Sequence, residues 1–347
     1  MIKRNEKNPV VTPSMVKPTN PRYRVRGAFN PGAIEFNDEI LLLMRVAEDC
    51  IAETGCISIP VVKFDGKIGK PDVMTFSSAD PHVKLKDTRG VVYKNIDYLS
   101  TISHIRIARS KDGVNFKVDD EPFIFPSLPS EFFGVEDARA VKIGDEYFIN
   151  YTCISQDGWA TSLAKTYDFR SIERLGIIFH PENKDVAIFP EKINGKYYAL
   201  HRPNNSGFGR PSIWIAESHD LIHWGNHKCI ARPRDMIWEE MKIGGGAPCI
   251  KTPRGWLQIY HGKGRNQVYS LFTLLLDLND PSQVLARGEE PFLIPEAPYE
   301  KEGFFGNVIF TNGIVEKDGK LFIYYGASDE YSCLMETTVD YLLVSCQ

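Results

Sequence analysis

The chain alternates short hydrophobic runs with tight turns, and one such pattern recurs five times. In each copy a short run leads into an Asn, Asp or Gly turn, and a second run rich in aliphatic residues and Tyr follows, which is typical of a β-hairpin. The copies span residues 30–46, 137–153, 187–203, 247–262 and 311–326. Their turns are mostly about 50 to 60 residues apart, enough for a four-stranded unit. The first interval is about double, so one unit is extended or one hairpin is hidden.

The repeats predict an all-β protein. Radial repetition of four-stranded units protects strand edges in a chain of this size, so we expect a single five-bladed β-propeller domain over residues 1–347. A pair of β-sandwiches is the alternative, but it would not account for five equivalent hairpins. The pattern indicates little helix, and the best candidate, residues 233–241, is short.

Two smaller patterns add detail to this fold. Residues 110–116 and 218–224 share a Ser-x-Asp start and an aromatic end, which predicts the same outer-strand turn in two blades. The apolar residues 341–345 predict either a strand that closes a blade or an interface with another subunit. The oligomeric state therefore stays open, with a homo-oligomer as one alternative.

Composition and charge narrow the function. Of the 347 residues, 43% are hydrophobic and 25% are charged, which is ordinary for a globular protein with a large core. The formal net charge is −4 and the basic residues are scattered, so we expect neither nucleic acid nor a membrane as partner. A small molecule is the expected ligand.

The first residues and the cysteines indicate the compartment. The amino-terminal segment is charged and lacks an apolar signal-peptide stretch, and no segment reaches the length of a membrane span. The seven cysteines are odd in number, dispersed and without a CxxC pair, which favours reduced thiols over disulfides or zinc. We therefore expect a cytoplasmic location and no metal site.

Residues 134–139, Gly-Val-Glu-Asp-Ala-Arg, hold the candidate catalytic acid. On an extended strand successive side chains point to opposite faces, so Asp137 and Arg139 should share one face and Glu136 should lie on the other. This makes Asp137 the candidate acid. A structural ion pair between Asp137 and Arg139 is the alternative, because such pairs also perturb pKa values.

The repeats bring further polar residues towards the same place. In a propeller, equivalent positions converge around the central axis, so residues near the end of each second strand should face one funnel. On the first strand of its copy, Asn30 occupies the position equivalent to Asp137. The second-strand residues are Arg45, Thr152, Arg202, His261 and Tyr325.

The funnel is expected to gather cations around one acid. Arg offers paired planar donors and Lys a point charge, the usual means of holding phosphate oxyanions. The candidate cations are Arg45, Arg202, Lys242 and His261, with Lys184 and Asp185 on the same wall. The alternative is that each cation only pairs with a nearby carboxylate, from Glu48, Asp49, Asp185 or Glu191. The three glycines at 244–246 would let the backbone approach another group closely.

Many short motifs, taken in order, resemble glycoside hydrolase family 130, the β-mannoside phosphorylases and their hydrolytic relatives. They include Phe-Asn-Pro-Gly-Ala at 29–33, Gly-Val-Glu-Asp-Ala-Arg at 134–139, His-Arg-Pro at 201–203, Lys-Ile-Gly-Gly-Gly-Ala-Pro at 242–248 and Tyr-Tyr-Gly-Ala-Ser-Asp at 324–329. The resemblance implies a five-bladed propeller with Asp137 as the catalytic acid. It implies sugar contacts from Asn30, Arg45 and Asp329. It implies phosphate contacts from Lys184, Asp185, Arg202, Lys242 and His261.

The activity implied by the resemblance is reversible, inverting phosphorolysis of a β-mannoside to α-mannose 1-phosphate. Inorganic phosphate is then a co-substrate, no cofactor is expected, and the proton of the acid passes through the mannose 3-hydroxyl. Ala138 stands where the family often has Pro. Lys184 and Asp185 stand where many relatives have Arg-Asn, so either one could contact phosphate.

Linkage and reaction type leave alternatives open. Residues 99–110 and the short amino terminus resemble the β-1,2-mannobiose and β-1,2-oligomannan phosphorylases. A β-1,4-mannoside phosphorylase acting on mannosylglucose or mannobiose is one alternative, and a hydrolase of the same family is another. Lys242 and His261 favour phosphorolysis, because hydrolytic relatives lose the basic phosphate ligands. A sugar-binding propeller without catalysis is disfavoured, since it would gain little from cations around one acid.

Overall fold

β-Strands dominate the computed structural model, which describes residues 1–51, 53–66, 68–87, 90–204 and 207–346. The strands before residue 120 are β1 (Lys3–Arg4), β2 (Tyr23–Phe36), β3 (Glu39–Cys50), β4 (Cys56–Asp65), β5 (Ile68–Ser77), β6 (Val83–Asp87), β7 (Gly90–Tyr93), β8 (Ile96–Leu99), β9 (Thr101–Ser110) and β10 (Lys117–Val118). Those of the middle of the chain are β11 (Gly134–Ile143), β12 (Glu146–Ser155), β13 (Gly158–Thr166), β14 (Glu173–Phe179), β15 (Asn183–Ile188), β16 (Tyr197–Pro203), β17 (Ile213–Ser218) and β18 (Trp224–Ala231).

The last third of the chain adds eight strands and the two short α-helices of the described residues. The strands are β19 (Lys242–Gly245), β20 (Ile250–Thr252), β21 (Gly255–Lys263), β22 (Tyr269–Leu276), β23 (Val284–Arg287), β24 (Ile309–Lys317), β25 (Lys320–Ala327) and β26 (Tyr331–Thr337). The α-helices are α1 (Pro298–Lys301) and α2 (Val339–Val344), and the 3₁₀ turns are Pro13–Met15 and Pro129–Glu131. The all-β prediction is confirmed, since both α-helices are short.

Antiparallel pairing divides most of the described strands into five units. Unit 1 contains β2, β3, β9 and β10; unit 2 contains β11 to β14; unit 3 contains β15 to β18; unit 4 contains β19 to β23; unit 5 contains β24 to β26 and β1. We call the first strand of each unit its inner strand. Inner strands lie side by side, because β2 contacts β24 and β11, and β15 contacts β11 and β19.

The long first interval between repeats is an insertion within unit 1. Between β3 and β9, the β4–β5 hairpin and the three-stranded β6–β8 sheet have been added. A small apolar cluster around Val62 packs the β4–β5 hairpin against β2, β3 and β9, and a second cluster around Ile59 joins the two inserted sheets. Unit 1 is therefore the extended unit.

The main core consists of five apolar clusters, and each lies between two units that follow one another. The clusters join unit 1 to unit 2, unit 2 to unit 3, unit 3 to unit 4, unit 4 to unit 5, and unit 5 back to unit 1. Every unit thus buries both of its faces. The amino-terminal strand β1 joins unit 5, where its Lys3 and Arg4 pair with Glu336 and Met335 of β26.

Two predictions about local structure are wrong. Residues 233–241 form no helix but a turn, in which the Glu239 amide donates to the Met236 carbonyl. Residues 341–345 do not form a strand; most of them belong to α2, which buries Leu342 and Leu343. A strand could not bury adjacent leucines on one face, whereas a helix turn can. The fourth strand of unit 5 comes instead from β1.

The outer turn predicted at two places is confirmed and occurs a third time. The hydroxyls of Ser110 and Ser218 accept from the amide three residues ahead, and the Asp two residues ahead accepts two further amides. Thr166 and Asp168 repeat these bonds. All seven cysteines are free. None of the helices described has the length and apolar character needed to cross a membrane.

Candidate active site

A cavity of about 950 Å³ opens where the inner strands meet. All nine residues proposed for catalysis or binding line it, and they come from all five units. They are Asn30, Arg45, Asp137, Lys184, Asp185, Arg202, Lys242, His261 and Asp329. The structure therefore brings together the complete candidate set.

Bulges in the inner strands aim three of these side chains into the cavity. The pairing register shifts around Asn30, Asp137 and Asp185. Their φ angles are 48°, 50° and 55°, in the left-handed region that Asn and Asp tolerate better than most residues. The bulge breaks the alternation of the strand. As a result Glu136 and Asp137 both line the cavity.

The expectation that Asp137 and Arg139 share a face is therefore wrong, and so is the ion pair between their side chains. Arg139 is only 1% exposed, and its guanidinium donates to the backbone carbonyls of Gly245 and Gly246 at 2.9 and 2.7 Å. Its bond to Asp137 is made with the backbone carbonyl, at 3.3 Å.

One wall of the cavity holds the candidate acid among donors. Asn30 Nδ2 donates to Asp137 Oδ1 at 3.0 Å. The guanidinium of Arg45 lies 2.5 Å from Glu136 Oε1 and 3.7 Å from Asp137 Oδ1. Glu136 thus takes most of the Arg45 charge, which leaves one Asp137 oxygen open to the cavity side.

Asp329 lies on the same wall as a third carboxyl group. Burial raises its pKa to about 6, and the charges of Asp137 and Glu136 add to the rise, while Arg45 opposes it. Its backbone has a φ of 52°. A carboxyl group with a pKa of about 6 changes its charge within the pH range in which most enzymes work.

The opposite wall is organised by Asp185. Arg202 Nε donates to Asp185 Oδ2 at 2.6 Å, and His261 Nε2 lies 3.3 Å from the same oxygen. Burial opposes ionisation of Asp185, but the neighbouring positive charge, chiefly that of Arg202, holds its pKa well below the usual range. Burial lowers the pKa of His261 to about 4. The carboxylate of Asp185 acts in the opposite direction and raises the pKa of His261, so burial and the contact with Asp185 compete at this imidazole.

Lys184 and Lys242 complete this wall without a carboxylate of their own. Neither makes an ion pair with any residue in the described parts of the chain, whereas Lys251 is bound to Glu191. The Lys184 and Lys242 ammonium groups lie 5.8 and 5.2 Å from the ring centres of Trp159 and Tyr269. Burial, with help from Arg202 and Lys184, lowers the pKa of Lys242 to about 7.

Gly244 lets the backbone approach the side chains of Asp185 and His261 closely, as the sequence predicted. A Cβ on Gly244 would lie 2.2 Å from Asp185 Oδ2 and 2.7 Å from His261 Cε1. No side chain larger than hydrogen fits between these groups. Gly244 lies inside β19 and not in a loop.

The proposal that every cation pairs with a carboxylate holds only in part. Arg202 pairs with Asp185. Asp49 instead binds Arg24 and Arg26, and Glu48 binds Thr19. Arg45 pairs with Glu136, so among the described residues Lys184 and Lys242 are the candidate cations without an ion pair.

Two second-strand residues predicted to face the funnel do not line it. Tyr325 is fully buried and donates its hydroxyl to Glu300 at 2.8 Å, and Thr152 is buried beside β11. Sequence reasoning also missed aromatic residues that line the cavity, among them Tyr98, Trp159, Phe305 and Phe310. Their spacing resembles that of core residues, so no pattern distinguishes them.

The chain is similar to known proteins over almost its full length. A family model described as β-1,4-mannooligosaccharide phosphorylase matches residues 60–347. The chain belongs to glycoside hydrolase family 130. This confirms the resemblance seen in the motifs of the sequence.

Three comparisons within family 130 describe the similarity further. A β-1,2-mannobiose phosphorylase of Listeria innocua serovar 6a is 45% identical over 332 residues, 94% of this chain and 93% of that protein. A 1,2-β-oligomannan phosphorylase of Thermoanaerobacter sp. strain X514 is 44% identical over 235 residues, 67% of this chain and 77% of that protein. A solved structure of the Listeria innocua β-1,2-mannobiose phosphorylase with β-1,2-mannobiose matches with a TM-score of 0.93 and 42% identity, over 99% of each chain.

Proposed function

We propose that the protein is an inverting phosphorylase that cleaves β-1,2-linked mannobiose or short β-1,2-mannosides with inorganic phosphate. The products are α-D-mannose 1-phosphate and mannose, or a chain one mannose shorter. The observation that carries this proposal is the cavity itself, in which Asp137 faces a wall with two lysines, Lys184 and Lys242, that form no ion pair with a carboxylate of the described residues. The two relatives described above are named β-1,2-mannobiose phosphorylase and 1,2-β-oligomannan phosphorylase.

The wall of Lys184, Arg202, Lys242 and His261 binds phosphate in this proposal. Ammonium and guanidinium groups hold phosphate oxyanions by charge-assisted hydrogen bonds. Asp185 is a carboxylate already bound by Arg202, so it acts by orienting Arg202 and His261 and not by touching the anion. Of the pair at 184 and 185, Lys184 is the residue that contacts phosphate.

The acid side supplies one proton. A phosphate oxygen attacks the anomeric carbon as the bond to the leaving sugar breaks. The Asp137 proton reaches the glycosidic oxygen through the mannose 3-hydroxyl. Phosphate is itself the nucleophile, so no second carboxylate is needed to activate a water, as it would be in an inverting hydrolase. Asn30, Arg45 and Asp329 hold the reacting mannose, and no cofactor takes part.

We also propose that the five units are the blades of one five-bladed β-propeller domain. Five apolar clusters, one between each successive pair of units, support this arrangement. The return of β1 to unit 5 supports closure of the ring. The seven free thiols support a cytoplasmic location.

Phosphate dependence tests the proposed reaction. Purified protein is incubated with β-1,2-mannobiose, with and without phosphate, and products are followed by ³¹P NMR. Mannose 1-phosphate formed only with phosphate is the expected result. Mannose released equally without phosphate would identify a hydrolase, and no release under either condition would contradict phosphorolysis of β-1,2-mannobiose.

Reverse synthesis tests the linkage. The protein receives α-mannose 1-phosphate with mannose, glucose or N-acetylglucosamine, and the product linkage is determined by NMR. We expect a β-1,2 bond to mannose. A dominant β-1,4 product would contradict the linkage while leaving the roles of Asp137 and the phosphate wall intact; the β-1,4 name of the matching family model is the observation that favours this second candidate.

A further inference from the structure

Arg139 has no task in the reaction proposed above, although it lies two residues from the acid and is 1% exposed. Burying a guanidinium is unfavourable unless its donors are satisfied. It is 3.7 Å from the nearest carboxylate oxygen, Asp185 Oδ1, and its hydrogen bonds go to backbone carbonyls. A residue that served only to neutralise a carboxylate would be placed closer to one.

The contacts of Arg139 join three inner strands. Nε donates to Gly246 at 2.7 Å, Nη2 to Gly245 at 2.9 Å, and Nη1 to the Asp137 carbonyl at 3.3 Å. Asp137 belongs to β11, Gly245 ends β19, and Asp185 lies on β15 between them. One side chain thus connects the strand of the proton donor with the strand that begins at Lys242.

The segment that contains Gly245 and Gly246 also packs closely against two further strands. A Cβ on Gly246 would lie 2.5 Å from the Ile259 carbonyl, and one on Gly245 would lie 3.1 Å from the Asp185 carbonyl. The backbone of these glycines therefore packs directly against the strands of Ile259 and Asp185. Arg139 adds a polar link between the glycines and the Asp137 carbonyl.

We propose that Arg139 is a positioning residue that sets the distance between the proton donor Asp137 and the phosphate wall beginning at Lys242. The inference rests on the proposed phosphorolysis. In that reaction phosphate and acid act on opposite sides of one glycosidic bond. A displacement of about 1 Å between the two groups is enough to reduce the rate about 100-fold.

The test separates binding from chemistry in Arg139→Lys and Arg139→Gln. Neither side chain can donate to Gly245, Gly246 and Asp137 at once. Calorimetry gives the Kd of phosphate and of β-1,2-mannobiose, and steady-state assays give kcat. We expect each Kd to stay within about tenfold of wild type, because each wall keeps its own ligands. We expect kcat to fall about 100-fold or more.

Arg174→Gln is the matched control. Arg174 also lies in unit 2 and donates to Glu131 and to the Phe125 carbonyl, away from the cavity. Its replacement should lower the melting temperature but leave kcat unchanged. This separates loss of stability from loss of positioning.

The other possible results contradict either the positioning role of Arg139 or the proposed phosphorolysis. A folded Arg139→Lys with kcat near wild type overturns the positioning role, as does a variant that loses phosphate affinity but keeps kcat at saturation. If circular dichroism shows that neither variant folds, Arg139 is structural and the proposal fails. If wild-type protein makes no mannose 1-phosphate, the proposed function fails on its own, before any variant is measured.

Discussion

Asp137 is the side chain whose exchange should affect turnover most. Asp137→Asn keeps the shape of the side chain and a partner for Asn30 Nδ2, but it has no acidic proton to give. General acid catalysis contributes about 10² to 10⁴ in rate, so kcat should fall by that amount or more. Calorimetry should show little change in the Kd of mannobiose. Turnover close to that of wild type would remove Asp137 from the mechanism.

Lys242 should act on phosphate and not on sugar. Losing a charge-assisted bond of about 1.5 to 3 kcal/mol predicts a rise of about 10- to 100-fold in the KM for phosphate in Lys242→Ala. The KM for mannobiose should change far less. Lys251→Ala, which removes a half-exposed lysine paired with Glu191, is the control. Equal changes in both KM values would contradict the assignment.

The lowered pKa of Lys242 gives the phosphate wall a pH dependence. Its pKa is about 7, so the ammonium loses its charge as pH rises through neutrality. Sulfate keeps the same charge over this range and can serve as a competitive inhibitor. Its Ki should weaken by up to about tenfold per pH unit above 7, and Lys242→Ala should lose that dependence. A flat profile in wild type would show that Lys242 stays charged.

Asp329 should lower the free energy of unfolding at neutral pH, because its carboxylate is buried in the cavity wall. Its folded pKa of about 6 lies above the unfolded value of about 3.9, so the folded state loses stability as pH rises between them. Asp329→Asn, which cannot ionise, should therefore be more stable than wild type by at most about 3 kcal/mol at pH 7. Urea unfolding at pH 4.5 and pH 7 measures the gain, which should shrink at the lower pH. A constant difference would contradict the raised pKa.

At the residue scale, the sequence identified the polar members of the cavity but not their faces. Polar groups at the ends of hydrophobic runs are conspicuous, so eight of the nine candidates could be found from the pattern of the chain, whereas Asp329 was named only through the resemblance to family 130. The face of the strand on which each side chain lies is harder to predict, because a shift of one residue in the pairing moves it to the opposite face. Tyr325 shows this: its hydroxyl bonds a buried Glu300, just as Tyr260 bonds Glu239. Tyr325 corresponds to Tyr260 and not to its neighbour His261.

Among the strands, β19 is the element whose backbone shape matters most. Gly244→Ala would place a methyl group 2.2 Å from Asp185 Oδ2, so the wall must shift. Such overpacking costs about 1 to 3 kcal/mol, and we expect a rise in the KM for phosphate of about tenfold with a lower melting temperature. Gly225→Ala in β18 is the control, because nothing lies within 4 Å of its Cβ position. Equal kinetics in the two variants would contradict the tight fit.

At the element scale, hairpins could be predicted but bulges could not. Turn residues are explicit in the sequence, so each repeated hairpin lies where the pattern indicated. A bulge has no comparable signal, since it depends on how two strands pair. The third repeat was aligned from Ala187, whereas the residue equivalent to Asn30 and Asp137 is Asp185, with the same left-handed backbone. The third hairpin is longer than the first two, so the equivalence of Asp185 could not be recognised by counting residues back from the turn.

At the scale of the whole molecule, closure depends on β1. Arg4 donates to Glu300, which is fully buried, and to the Ile294 carbonyl. Arg4→Ala leaves that carboxylate without its cation, and removing one partner of a buried pair costs about 3 kcal/mol or more. Urea unfolding should show this loss. Lys3→Ala, which removes an exposed pair with Glu6, should change stability by less than about 0.5 kcal/mol. Equal effects would show that β1 does not hold the ring.

The order of the hairpins could be predicted from the sequence, whereas the pairing of β1 with β26 could not. Repeat spacing predicted five hairpins, because spacing depends only on turns, but it left open whether the long first interval was an extended unit or a hidden hairpin. The closing strand has two residues, Lys3 and Arg4, too few to show any alternation. The apolar run at 341–345 offered a more visible but incorrect candidate.

The pairing of β1 with β26 also sets an order of events during synthesis. Lys3 leaves the ribosome early but has to wait for Glu336, its partner, to be made. At about 5 to 20 residues per second, that wait lasts roughly 15 to 70 s. Until β26 is made, β25 has a free edge and the cavity lacks Asp329. A chain released before β26 is complete therefore has an exposed strand edge, which is a site for aggregation.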